Sequence, residues 1–370
     1  MAFGIVDIHA HIFPPLAGAC GFPDAEAHRR HQQRAMHVHG NQPYRRVRDG
    51  APVAARALWD PDDPSPAGLR DAGFRVGAHG RFTWMTGDEP TYVQFLPPHM
   101  ADLSNDADTL LAGMEHAGIA TAVLQNDHIY GNLAEDFAAA AARHPGRFVG
   151  TAQVEEAFAY HDAEIARLHD QVGRLGMRAL YFTTTGLWRS GYRPLHDDPV
   201  YESFWAEVQA LGLPVFWVQS AESPVGTYED EMRCLARIVA RFPRLRHLLV
   251  HGVPTALYAD AADRPALPPV LTELLRDGRI SAELLYPIGW GGRAEYPWSR
   301  AGEHFRALLD AFGADRFLWG SDMPNVERSC TYRQSLAYAL PGFDFLTEAD
   351  RRAIFRGNAL AFLGLPDDPA

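Results

Sequence analysis

Cysteine is scarce in this 370-residue chain: there are three, Cys20, Cys234 and Cys330, set far apart. That spacing excludes a cysteine-built zinc motif and a disulfide framework, and it fits a reduced, cytoplasmic protein. No run of 18 apolar residues occurs, so no membrane-spanning helix is expected. The first seven residues lack the basic start and apolar stretch of a secretory signal, and none is expected there. Positive charge is in the minority, with 34 Lys plus Arg against 46 Asp plus Glu and a net charge of −12. A general nucleic-acid or anionic-membrane binder needs a basic face, so neither partner is expected. A locally basic pocket for a small anionic substrate remains open. There is no internal repeat. What the chain has in quantity is histidine, 17 residues, on a globular background that is 47% apolar and 22% charged. That count directs attention to metal and acid–base chemistry.

Short apolar runs alternate with helix-like stretches. The runs lie at residues 4–10, 121–125, 148–153, 177–183, 214–218, 247–251, 280–285 and 317–320. Each is short, apolar and partly β-branched, as expected of a strand buried on both faces. Helix-like segments between them imply parallel pairing through right-handed crossovers. Eight such strands close a (β/α)8 TIM barrel, the α/β fold class expected here, with residues 1–370 as one domain. The runner-up is an open doubly wound sheet. The strand count and the lack of a Gly-x-Gly-x-x-Gly turn after the first strand favour the barrel. Asn105 or Asp106 and Thr347 are candidate helix N-caps, Thr347 with Asp350 three residues on. Residues 12–102 break the rhythm: about 90 residues separate the first strand from the first regular helix expected. A segment that long after the first strand emerges at the barrel's C-terminal face, over the expected active site, and is read as an inserted cap or lid. Trp59, Phe74, Phe82, Trp84, Tyr92 and Phe95 argue for packing within it rather than disorder.

Chemistry concentrates at strand ends. His9 and His11 end the first strand; two residues apart on a strand share a face, and two imidazoles so placed can hold one divalent metal. The last strand ends Gly320-Ser321-Asp322. The first and last strands are neighbours in a closed barrel, so Asp322 falls beside the two histidines. It can complete a metal site or serve as a general base. The sixth strand ends at His251, which could polarise a carbonyl or carry a proton.

These pieces resemble the amidohydrolase superfamily. The nearest branch is the amidohydrolase-related family that includes aminocarboxymuconate-semialdehyde decarboxylase and the benzoate-type decarboxylases. The resemblance rests on Val6-Asp7-Ile8-His9-Ala10-His11, Pro145-Gly146-Arg147-Phe148-Val149-Gly150, Leu213-Pro214-Val215-Phe216, His251-Gly252, Gly320-Ser321-Asp322-Met323-Pro324 and Arg356-Gly357-Asn358-Ala359. It covers most of the chain in order, leaving out the segment after the first strand. It implies a (β/α)8 barrel, His9, His11 and Asp322 as metal ligands, His251 and Asp322 as catalytic groups, and a homodimer as the expected assembly. One departure stands out. The family's metal-binding histidine at the end of strand five is replaced here by Val218, followed by Gln219. Either His9, His11 and Asp322 suffice, with His251 or water filling in, or a carboxylate such as Glu222 or Glu283 substitutes, or the metal is lost. Zinc is the expected metal, with manganese favoured if a carboxylate replaces the histidine.

Further candidates follow from the same strand ends. His128 lies in the second strand's Gln125-Asn126-Asp127-His128 ending. Glu283 is a carboxylate inside an apolar strand, so it faces the mouth or pairs with a cation. Tyr296, Trp298 and Trp290 suggest an aromatic wall, and Arg293, Arg300 or Arg328 could grip a substrate carboxylate. The expected function is decarboxylation of a small aromatic or unsaturated carboxylated substrate. Hydrolysis of a C–N or C–O bond, and a non-catalytic ligand-binding barrel, are the alternatives.

Overall fold

A computed structural model describes residues 3–38, 42–53, 58–219, 226–285 and 296–367. Eight parallel strands form one sheet in chain order: β1 (Ile5–Ala10), β6 (Ile119–Leu124), β7 (Phe148–Gln153), β8 (Ala179–Thr183), β9 (Val215–Val218), β10 (His247–Leu249), β11 (Ile280–Leu284) and β12 (Phe317–Trp319). The sheet is a nearly closed barrel. Just past their ends β1 and β12 meet: Asp322 N donates to His9 O at 2.9 Å and His11 N to Met323 O at 2.7 Å. Val6, Ile8, Val123, Tyr181, Phe216, Leu248 and Leu318 form one apolar cluster inside the barrel. Leu360 and Phe362 of the C-terminal helix Asn358–Leu363 join it, and Arg356 Nη1 donates to Gly4 O at 2.9 Å, which puts that helix under the N-terminal end. The C-terminal end of the strands is thereby left for a site. Asp106 and Thr347 both cap helices, Thr347 in a full capping box with Asp350.

The insertion carries β2 (Arg45–Arg46), β3 (Arg75–Val76), β4 (Arg81–Thr86) and β5 (Glu89–Gln94), an antiparallel sheet ordered β2-β5-β4-β3. Trp59, Phe74, Phe82, Trp84 and Phe95 are buried in it, and they share one continuous core with the barrel. One expectation needs correcting. The first regular helix does not wait until after residue 102; a 14-residue helix spans Ala25–Val38. Its buried face is His28, His31, Gln32, Gln33, Arg34 and Met36. Helix periodicity is read from apolar residues, and here the inward stripe is almost wholly polar, so the signal was absent.

Asp7 clamps the seam where the barrel closes. Its Oδ1 accepts from His9 N at 3.0 Å and Ser321 N at 2.9 Å; its Oδ2 accepts from Ser321 Oγ at 2.5 Å and Tyr332 Oη at 2.6 Å. The carboxyl is fully buried, which pushes it up to about 6 against the pull of those four donors. Gly320 allows the close approach, since a Cβ there would lie 2.8 Å from His9 Cβ. Asp7→Ala leaves four donors without their acceptor. It is expected to destabilise the fold by about 3 kcal/mol in denaturant unfolding, with Gly320→Ala also destabilising. Wild-type midpoints for both variants would contradict this clamp.

Candidate metal centre

Val6 and Ile8 point into the barrel, so strict alternation would turn His9 away from it. The register of β1 against β6 shifts between Asp7 and Ala10. Within that irregularity His9 turns towards β11, as irregularities in a strand often re-aim a side chain. His9 Nδ1 lies 3.0 Å from Glu283 Oε2, and His11 Nδ1 lies 3.0 Å from the Gln125 carbonyl oxygen. A carbonyl oxygen only accepts, as does an ionised carboxylate, so both neutral rings carry their proton on Nδ1. Both therefore present a bare lone pair at Nε2. Those two Nε2 atoms stand 3.0 Å apart, and each is 3.5 Å from Asp322 Oδ1.

Three lone pairs converging in a buried site repel one another unless a cation stands between them. An ion with bonds of about 2.0–2.2 Å sets its ligands about 3–3.6 Å apart, which this trio matches. Without a metal, a proton supplies the positive charge. Burial pulls the His9 imidazole down, but the Glu283 carboxylate, helped by Asp322 and Asp7, outweighs it and lifts the group to about 9. Burial would likewise push the Asp322 carboxyl up. The imidazoles beside it, His11 first and then His9, instead hold it well below the usual range.

Glu283 organises this site. Its Oε2 takes His9 Nδ1 and also the backbone N–H of His251 at 2.7 Å, and its Oε1 takes Gln125 Nε2 at 2.9 Å. Its carboxylate is thus committed to holding other groups. The His251 ring sits 5.4 Å from the His9 ring, half-buried at the mouth. Burial and then the charge on His9 keep it below 6.5, so it is neutral near pH 7. His251 and Asp322 both hold left-handed backbone, φ +66° and +62°, a conformation that costs free energy in non-glycine residues and clusters at functional sites. Asn325 Nδ2 donates to Asp322 Oδ1 at 2.8 Å and to Tyr130 Oη at 2.5 Å. The Tyr130 ring lies 4.4 Å from that of His11 and stacks on Phe13 at 4.7 Å.

The remaining candidates fall elsewhere. Val218 ends β9 half-buried; Gln219 follows, buried, its Nε2 without a hydrogen-bond partner among the described residues. His128 is not at this centre. It pairs with Glu156, Nε2 to Oε2 2.6 Å, in a second cluster under the insertion. Arg328 stays near, its Nε donating to Asn325 O at 3.0 Å and its Nη1 to Phe95 O at 2.6 Å. Arg300 is drawn off to an exposed fork on Asp263. Glu222, Arg293 and Trp290 lie outside the described residues. Asn325 belongs to the site without having been singled out, and Gln125 and Tyr130, part of a strand ending read as facing the mouth, belong to it without having been given a role. Gln125 and Tyr130 stand in the strand-end segment that supplied His128. Asn325 has no pattern that marks it beyond its spacing of three from Asp322.

The amidohydrolase family profile matches residues 6–365. No curated protein matches. Solved structures share the fold at low identity. An amidohydrolase from Burkholderia multivorans with bound zinc has 17% identity and a TM-score of 0.57, over 72% of this chain and 90% of its own. A dihydroxybenzoic acid decarboxylase from a Polaromonas species, with manganese and the inhibitor 2-nitroresorcinol, has 18% identity and a TM-score of 0.52, over 71% and 87%. A probable 2-pyrone-4,6-dicarboxylic acid hydrolase from Acinetobacter baumannii, with citric acid bound, has 13% identity and a TM-score of 0.53, over 98% and 100%.

Glu283→Gln offers a sharp test of the ligand geometry. An amide can donate to His9 Nδ1 and push the ring's proton onto Nε2, the nitrogen that faces the ion. Zinc affinity, measured by competition with a chelator, is expected to fall about 10- to 100-fold with the fold intact by circular dichroism. Unchanged affinity would remove Glu283 from this role.

Proposed function

The chain belongs to the amidohydrolase family, and from that premise we propose that it is a metal-dependent enzyme that decarboxylates a small, flat, carboxylated substrate. The observation that carries the reading is the convergence of His9 Nε2, His11 Nε2 and Asp322 Oδ1 on one point, each with a free lone pair. These three would hold the ion, with Zn²⁺ or Mn²⁺ suited to two imidazoles and a carboxylate. When bound, it supplies positive charge that binds an oxygen of the substrate and stabilises negative charge developing beside it.

The protein's own groups do the rest. Glu283 and Gln125 hold the two imidazoles in the ligating tautomer. Asp322, kept ionised, is a ligand rather than a proton donor, which leaves His251 as the group that moves a proton. Neutral His251 takes a proton from an acidic group of the substrate. The bond from substrate carbon to carboxylate then breaks, its electron pair stays on that carbon, carbon dioxide leaves, and His251 returns the proton to the carbon. Tyr130 lies beside His11, with Phe13 stacked on it and the Phe95 ring centre 6.0 Å away. That apolar wall favours a planar ring over an extended chain. Arg328, next to Asn325, is the nearest described candidate for a second grip on a carboxylate. The insertion, packed on this side of the mouth, acts as the cap that excludes water.

Incubation of the zinc- or manganese-loaded protein with hydroxylated benzoic acids is expected to release carbon dioxide, followed by loss of the substrate's ultraviolet band. His251→Asn should lower kcat about 100-fold or more while leaving metal content unchanged, in line with loss of a general acid–base group. Turnover of lactones or amides with no carbon dioxide from any carboxylated acid would point to hydrolysis instead.

A further inference from the structure

The second cluster lies between the insertion helix Ala25–Val38 and the ends of β6 and β7, away from the His9–His11–Asp322 trio. It repeats the arrangement seen there. At the first centre a buried glutamate, Glu283, holds one ring nitrogen of His9 and leaves the other bare. Here buried Glu156 does the same for His128. Its Oε2 lies 2.6 Å from His128 Nε2, and its Oε1 accepts from Thr183 N at 3.1 Å. His128 is 5% exposed, and its Nδ1 is buried without a hydrogen-bond partner. The neighbouring Glu155 takes Arg189 Nη1 on Oε2 at 3.2 Å; its Oε1 is buried with nothing bonded to it. One ligand atom each of His128, Glu155 and Glu156 falls within 4.8 Å of the others.

The insertion helix adds a third element. His31 is 4% exposed and stacks on His128 with ring centres 4.8 Å apart. Its Nε2 points at Glu155 Oε2 from 4.0 Å, too far for a hydrogen bond. The Phe22 ring also lies 4.8 Å from that of His31, and Trp188 meets it edge-on at 5.4 Å. Buried polar groups nearly always find a partner, and a group left bare costs about 1–3 kcal/mol. Two of them, His128 Nδ1 and Glu155 Oε1, from two segments of chain, are bare among the described residues in this one seam.

We propose that this seam is a second divalent-metal site, in which His31, His128 and Glu155 take an ion of the zinc or manganese class and fasten the insertion to the barrel. Two imidazoles and one carboxylate are a donor set that such ions accept. Glu156 is the positioning residue, keeping the His128 ring oriented as Glu283 keeps His9. Arg189 holds Oε2 of Glu155 and leaves Oε1 for the ion. The site draws a ligand from the insertion helix, so filling it ties the cap down. The inference stands apart from the reading of the first centre.

Counting zinc per chain tests it, on protein loaded with Zn²⁺ and then desalted. Wild type should retain two ions, the His9→Ala/His11→Ala variant one, and His31→Phe one. Phenylalanine keeps the stack on Phe22 and His128 while removing both nitrogens. Glu155→Gln should likewise leave one. The zinc-dependent protection of the insertion from proteolysis should disappear in His31→Phe and persist in the His9→Ala/His11→Ala variant. Two ions in His31→Phe, or a single ion in wild type that is lost only with His9 and His11, would overturn the proposal. A single ion lost only with His31 would support the seam and contradict the first centre.

Discussion

The direction in which two imidazoles carry their protons governs this molecule's chemistry. A neutral histidine has one proton to place. Glu283 and the Gln125 carbonyl each fix it on Nδ1, leaving the two Nε2 lone pairs face to face at 3.0 Å. Nothing neutral satisfies that arrangement. A positive charge must occupy or approach the point between them, as a proton in the bare protein or as an ion in the loaded one. Glu283 also holds the His251 backbone N–H. One buried carboxylate therefore sets both the ligand tautomer and the position of the proton-moving group.

The barrel's closure serves the same end. His9 and Asp322 come together only because β1 and β12 join, and the bonds that join them run through the site residues themselves: Asp322 N to His9 O, with Asp7 clamping His9 N and Ser321. A loosened seam would disperse the ligands. The left-handed backbone at His251 and Asp322 is a cost concentrated where the chain leaves its strand and turns a functional group inward.

Much of this was legible in the residues. Eight apolar runs marked the barrel strands because a parallel strand buried on both faces needs little else. That His9 and His11 share a face, and that Asp322 falls next to their strand, could be read from strand parity and barrel closure. The shift that turns His9 inward could not be, since a register irregularity leaves no mark on the alternation of residue types. Glu283 was conspicuous as a charge in an apolar strand, but its role depends on which atoms it meets across the barrel. The insertion helix was hidden for a simple reason: His28, His31, Gln32, Gln33 and Arg34 are buried residues that read as a solvated face. His128 looked like a mouth residue from its strand-end position. Its partner, Glu156, lies beyond a different strand, β7, and the pairing of β6 with β7 brings the two together.

The central claim is that a metal ion belongs at the point shared by His9, His11 and Asp322. Crystals soaked in Zn²⁺, with diffraction measured on both sides of the zinc absorption edge, test it most directly. The account predicts an anomalous peak about 2.0–2.2 Å from His9 Nε2, His11 Nε2 and an Asp322 carboxylate oxygen. An empty point there at saturating zinc, with the two imidazoles still facing each other, would contradict it.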